Sequence, residues 1–153
     1  MTFDWWLAVF VALVVAAASS GVFFKPGDWY RGLRKPSWTP PNWLFGPVWS
    51  VLYLMIACAG WLVWSTGTGG AALWLWGLQL AVNATWSGIF FGMRRMDLAF
   101  YDIVLLWLLV AGFIVTAWPL SMTAALLFVP YLIWVTIAGA LNWTVWRMNP
   151  AAA

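Results

Sequence analysis

Residues 98–118 read LAFYDIVLLWLLVAGFIVTAW, an apolar run in which Asp102 is the only charged side chain. An α-helix of this length covers ~30 Å, which is the thickness of the hydrocarbon core of a membrane. Four similar runs flank it, and we expect each of the five to form a transmembrane helix: residues 5–24, 43–64, 71–91, 98–118 and 122–146. The chain is 65% hydrophobic and only 7% charged, far from a soluble domain. The sequence therefore predicts an all-α membrane protein, a single domain over residues 1–153 built as a bundle of five transmembrane helices.

Every basic residue lies in alternate segments between these runs. The N-terminal residues and the turns at 65–70 and 119–121 carry no Lys or Arg, whereas the other segments carry all seven: Lys25, Arg31, Arg34, Lys35, Arg94, Arg95 and Arg147. Short loops rich in Lys and Arg stay on the cytoplasmic side. We therefore expect the N-terminus outside and the C-terminus in the cytoplasm. The helical pattern favours a cytoplasmic membrane, because bacterial outer-membrane spans are typically β-barrels.

Several classes of chemistry are excluded by composition. The chain has no histidine and a single cysteine, Cys58, so a histidine-ligated metal and a Ser-His or Cys-His nucleophile are excluded. We expect no metal and no required cofactor. The net charge of +3 lies in loops that face an anionic leaflet, and nucleic acid is not an expected partner.

The first loop, residues 25–42, is long for a compact helical bundle. Its prolines restrict the backbone, and its aromatic side chains can pack: Trp29, Tyr30 and Trp38. A long ordered loop of this kind typically covers a site, so we expect a lid.

Three helical stripes are candidates for a ligand site. Trp49 and Tyr53 share one face of the second run, and Asn83, Trp86, Ser87 and Phe90 share one face of the third. Trp134, Ala138 and Leu141 share one face of the fifth. Each stripe alone also fits a bundle core. Together with the lid, the three stripes favour a cavity for a flat apolar ligand. Asn83 must be paired at this depth, either with a neighbouring helix or with a ligand.

Two further features have structural and functional interpretations. The third run carries two pairs of small residues four apart, Gly77 with Ala81 and Ala84 with Gly88. Such pairs let helices approach closely, either within the bundle or in a homodimer. Asp102 is costly facing lipid, so we expect it to face the bundle or to reach Arg94 or Arg95. An ion pair with one of these arginines is favoured over a role in a proton relay.

Several strings resemble the TspO/translocator-protein family, also called tryptophan-rich sensory proteins or peripheral benzodiazepine receptors. They are WY at 29–30, KPSWTPP at 35–41, VWSVLY at 48–53, QLAVNATW at 79–86 and PYLIW at 130–134. The resemblance covers essentially the whole chain, and the loop motif followed by Trp49 and Tyr53 is its most specific part. It implies a five-helix bundle that dimerises through the third helix.

The resemblance also implies ligands and site residues. The ligands are porphyrins such as protoporphyrin IX, sterols and benzodiazepine-site compounds. The pocket under the first loop would contain Tyr30, Trp38, Pro40, Trp49, Tyr53, Asn83, Trp86, Trp134, Ala138 and Leu141. Trp49 and Trp134 match tryptophans implicated in porphyrin breakdown. Family members have also been placed in outer membranes. Trp143 stands where the family's sterol-binding pattern has Tyr, which places sterols below porphyrins.

Three functions are hypotheses for this chain. The favoured one is a receptor or regulator that binds a tetrapyrrole by stacking and packing in tetrapyrrole or stress signalling. The second is a transporter of sterol or porphyrin, which predicts repeats or broken helices; only Pro130 interrupts a run. The third is a slow light- or oxidant-dependent porphyrin-degrading enzyme that uses Trp49 and Trp134.

Overall fold

The computed structural model describes residues 5–152, and every regular element in that range is helical. Residues 1–4, at the end that we expect outside the membrane, and residue 153 lie outside the described part of the chain. The elements in chain order are α1 (Trp5–Ala18), α2 (Ser20–Phe23), α3 (Asp28–Gly32), α4 (Asn42–Ser65), α5 (Gly70–Ser87), a π turn (Gly88–Gly92), α6 (Met96–Ala117), α7 (Met122–Met148) and a 3₁₀ turn (Pro150–Ala152).

Four segments of the described chain are long and apolar enough to cross a membrane: Trp5–Phe23, Asn42–Ser65, Met96–Ala117 and Met122–Met148. The all-helical, multi-span architecture expected from the sequence is thus confirmed. The third expected span, residues 71–91, is helical but is not among these four. It is observed as α5 followed by the π turn, and it carries the polar side chains Gln79, Asn83 and Ser87.

The first run differs from the expected continuous helix over residues 5–24. The regular helix is interrupted at Ser19, and the short helix α2 ends at Phe23. The Ser19 hydroxyl donates to the Ala16 carbonyl at 2.6 Å, a local side-chain bond of the kind that competes with regular helix. Phe24 then packs against the π turn, because a Cβ added at Gly92 would lie 2.9 Å from its ring. Glycine at position 92 therefore permits the end of this run to approach the bundle.

The main core lies where α6 packs along both α5 and α7, while α4 packs along α7 and α1. Phe113, Phe128 and Tyr131 are fully buried at its centre, and the first two rings lie 3.9 Å apart. The crossing of α4 and α5 is close: the indole N–H of Trp76 donates to the Ile56 carbonyl at 2.8 Å. A Cβ at Gly60 would lie 2.6 Å from that indole.

Asp102 does not form the ion pair that we favoured from the sequence. Its Oδ1 accepts from the Thr85 hydroxyl at 2.8 Å, so the carboxylate joins α6 to α5 within the bundle. Arg95 instead pairs with Asp97 through two bonds of 2.8 and 2.6 Å. The favoured pairing with an arginine was wrong: Arg95 pairs with Asp97, which lies nearer to it in sequence, while Thr85 bonds one oxygen of Asp102 and the other oxygen has no partner among the described residues.

Candidate functional site

A chain of polar side chains crosses the bundle at mid-depth and joins α4, α5 and α7. The Tyr53 hydroxyl donates to Asn83 Oδ1 at 3.0 Å, and Asn83 Nδ2 donates to the Tyr131 hydroxyl at 2.9 Å. Tyr131 in turn donates to Gln79 Oε1 at 3.0 Å. Asn83 is therefore paired with neighbouring helices, which was one of the two roles open to it. Because each bond joins two helices, this chain fixes their relative positions.

Aromatic faces cover one side of this polar chain. The Trp49 ring lies 5.2 Å from the Tyr53 ring at an interplanar angle of 30°, and it meets Tyr131 edge-on at 6.1 Å. The spacing of Trp49 and Tyr53 along α4 brings both rings to the same face, as their sequence positions predicted.

Trp86 connects the main core to a second apolar cluster. It packs against both, and its ring is stacked on Phe90 at 5.0 Å. We call the second cluster the loop cluster, and its buried members are Tyr30, Leu33, Phe90, Met96, Ala99, Leu141 and Val145. Tyr30 on α3 and Leu141 on α7 thus lie in one cluster despite their separation in sequence.

The first loop is held against the bundle by Tyr30 on α3. Its ring is buried and lies edge-on to Phe91 at 5.4 Å and to Phe90 at 6.1 Å. Lys35 Nζ lies 4.4 Å from the centre of the same ring and donates to the Tyr30 carbonyl at 2.7 Å. Burial raises the pKa of the Tyr30 phenol, so the ring stays neutral at physiological pH.

A second attachment joins the loop to the end of α7. Asn149 Oδ1 accepts from the Arg34 backbone N–H at 2.9 Å, and Asn149 Nδ2 donates to the Arg34 carbonyl at 2.9 Å. One side-chain amide thereby satisfies both backbone groups of one loop residue. We call this pair of bonds the loop latch.

Trp134 lies half-buried on α7 and meets Phe45 edge-on at 5.6 Å. Its indole nitrogen is buried and has no hydrogen-bond acceptor among the described residues, and the same is true of the Gln79 amide nitrogen. Buried donors are nearly always paired in proteins. These two donors are therefore available to acceptor atoms of a ligand or of water.

The remaining expected pocket residues are placed differently. Ala138 packs against the main core together with Trp134, while Leu141 belongs to the loop cluster. Trp38 is half exposed and Pro40 is half-buried, and neither belongs to the main core or to the loop cluster.

Three connecting residues were not singled out as site residues from the sequence: Gln79, Tyr131 and Asn142. Gln79 precedes Asn83 by four residues and Trp86 by seven, so helical spacing could have placed it on the same face. Asn142 lies four residues after Ala138 and is buried. It accepts from the Trp86 indole at 3.2 Å and donates to the Met96 carbonyl at 2.9 Å.

The two small-residue pairs of the third run have different surroundings. Gly77 and Ala81 are exposed, and a Cβ added at Gly77 would meet nothing within 4 Å. Ala84 packs against the main core, and a Cβ added at Gly88 would lie 3.5 Å from Phe24. The first pair is thus open to a partner, whereas the second is used within the bundle.

Several helices of this chain are long and apolar enough to cross a membrane, and they pack around a polar and aromatic interior. These features define a multi-pass integral membrane protein. The chain belongs to the TspO/MBR family, whose match covers residues 8–147. It is 44% identical to Protein CrtK of Rhodobacter capsulatus, over 94% of this chain and 92% of that protein. It is 41% identical to the tryptophan-rich sensory protein of Cereibacter sphaeroides, over 97% and 95%. It is 42% identical to the human translocator protein, over 79% and 75%.

Proposed function

We propose that this protein is a membrane receptor or regulator that binds a flat tetrapyrrole, protoporphyrin IX, in the aromatic region beneath the first loop. A tetrapyrrole offers a wide π surface to the faces of Trp49 and Trp86. Protoporphyrin IX carries no metal, and the sequence has no histidine to ligate one, so stacking and packing would hold the ring. Sterols and benzodiazepine-site compounds are weaker candidates for the same region.

The observation that carries this proposal is the buried indole N–H of Trp134 without an acceptor among the described residues. A ligand with ring nitrogens or carboxylates supplies acceptors, and pockets of this kind combine apolar walls with a few oriented polar groups. The carboxylates would meet the exposed Arg34, since Arg31 is paired with Asp28 and Lys35 with loop carbonyls.

The membrane arrangement forms part of the proposal. All five long helices would cross the bilayer, with the N-terminus outside and the first loop and C-terminus in the cytoplasm, in a cytoplasmic membrane. The alternating basic segments support this orientation. Two copies would pair through the open Gly77 and Ala81 face of α5.

The test is a tryptophan-quench titration of the full chain in phospholipid nanodiscs with protoporphyrin IX, haem and cholesterol. We expect saturable quenching, strongest with protoporphyrin IX. Trp134→Phe keeps a ring but removes the N–H, and should weaken binding about three- to tenfold, as expected for one hydrogen bond. Trp74→Phe, at an indole 76% exposed on α5, is the matched control and should leave the affinity unchanged. Absence of saturable binding to the wild-type protein would contradict the proposed function.

A further inference from the structure

A groove on the outer surface of the bundle separates α4 from α7. It has a volume of about 380 Å³, and its walls include Pro47, Val51 and Met55 of α4 and Pro130, Ile133 and Trp134 of α7. This volume falls in the range of small-molecule sites, ~300–1,000 Å³. We call it the α4–α7 groove.

In a membrane, the groove would open to hydrocarbon. Val51 is 53% exposed and Ile133 57% exposed, and both belong to helices long and apolar enough to cross a membrane. An apolar solute leaves water for the membrane interior. The molecules that reach this groove therefore come from the bilayer.

Trp134 forms a wall shared by the groove and the protein interior. It lines the groove, and its ring also meets Phe45, which packs against the loop cluster. Because its indole N–H has no acceptor among the described residues, no indole hydrogen bond to them fixes the ring. The Trp134–Phe45 contact thus lies between the groove and the loop cluster.

The two helices that carry Phe45 and Trp134 each contain a proline that lines the groove. These are Pro47 in α4 and Pro130 in α7. Proline lacks a backbone N–H, so each helix lacks one internal hydrogen bond there, and such positions are common sites of helix bending. Both helices that line the groove can therefore bend there more readily than a helix without proline.

We propose that the α4–α7 groove is a lateral entry route, through which a ligand dissolved in the bilayer passes the Trp134–Phe45 contact to reach the loop cluster. This proposal rests on the proposed function, because it concerns the ligand of the same site. It adds the direction of entry and the residues that control its rate.

The test measures the association and dissociation rates of protoporphyrin IX with the full chain in nanodiscs. The plugged variant is Val51→Phe/Ile133→Phe. The matched control is Leu54→Phe/Leu126→Phe, at side chains 62% and 49% exposed on the same two helices that do not line the groove. Val51→Phe alone serves as a milder plug if the double variant folds poorly. Melting temperatures establish that each variant is folded.

A lateral route predicts that plugging slows both rates roughly tenfold with an unchanged Kd, equivalent to about 1.4 kcal/mol of added barrier, while the control behaves as wild type. Unchanged rates in the folded plugged variant, with normal Kd, would overturn the entry route and leave the proposed function intact. Equal slowing in both variants would also overturn the route. Absence of binding to the wild-type protein would overturn both proposals.

Discussion

The Trp86 indole donates to Asn142 Oδ1 at 3.2 Å, and this bond joins α5 to α7 where α6 begins. Asn142 Nδ2 also donates to the carbonyl of Met96, the first residue of α6. One buried amide therefore connects three helices. Its position beside Trp86 makes the geometry of the proposed site depend on it.

We predict that Asn142→Ala lowers the free energy of unfolding by about 1–3 kcal/mol, because it leaves the indole N–H of the half-buried Trp86 and the carbonyl of the buried Met96 without their partner. The measurement is thermal unfolding in detergent. Thr144→Ala is the control: the Thr144 hydroxyl donates only to the Ala140 carbonyl of its own helix. Equal stability of the two variants would show that the Asn142 bonds contribute little.

Asn149→Ala should release the loop latch without unfolding the bundle. The Arg34 N–H and carbonyl would lose their protein partner, while Tyr30 would still pack in the loop cluster. We expect faster hydrogen exchange over residues 25–41, with exchange in α6 unchanged. Thr39→Val, which removes a bond within the loop, is the comparison. Unaltered exchange near residue 34 would argue against the latch.

If two copies pair through α5 as proposed, Gly77→Leu should shift the detergent-solubilised protein from dimer toward monomer. The added side chain has free space within one copy but would prevent close approach of a second α5. Analytical ultracentrifugation measures the dimer fraction. Gly46→Leu also meets open space, on α4, and should leave that fraction as it is. A dimer that persists in Gly77→Leu would place the interface elsewhere.

The orientation can be tested with single cysteines in a Cys58→Ala background. An impermeant thiol reagent should label Thr68→Cys, in the turn between α4 and α5, from outside intact cells. It should label Gly32→Cys, in the first loop, only after the membrane is opened. Both positions are exposed. The reverse labelling pattern would invert the topology.

Hydrophobic runs and helical spacing predicted the helices and most of the polar-aromatic stripes. Trp49 and Tyr53, for example, share a face because four residues make about one turn. The spacing does not reveal partners on other helices, which is why the Asn149 contact with Arg34, distant in the sequence, was not anticipated. Trp38 is expected in the pocket from its motif, which does not determine burial; its side chain is half exposed, and its role in the pocket stays a prediction.

The π turn at Gly88–Gly92 makes the attachment of the first loop sensitive to the length of this segment. The Met93 N–H bonds to the Gly88 carbonyl at 2.8 Å, five residues back, so this segment holds one residue more than an α-helical turn. Deleting one residue of the turn that precedes Phe91 would rotate the chain beyond the deletion by about 100° and would move Phe91 away from Tyr30. A change in chain length, with every ligand-facing side chain retained, would then weaken the attachment of the loop through Tyr30 and leave the loop latch in place.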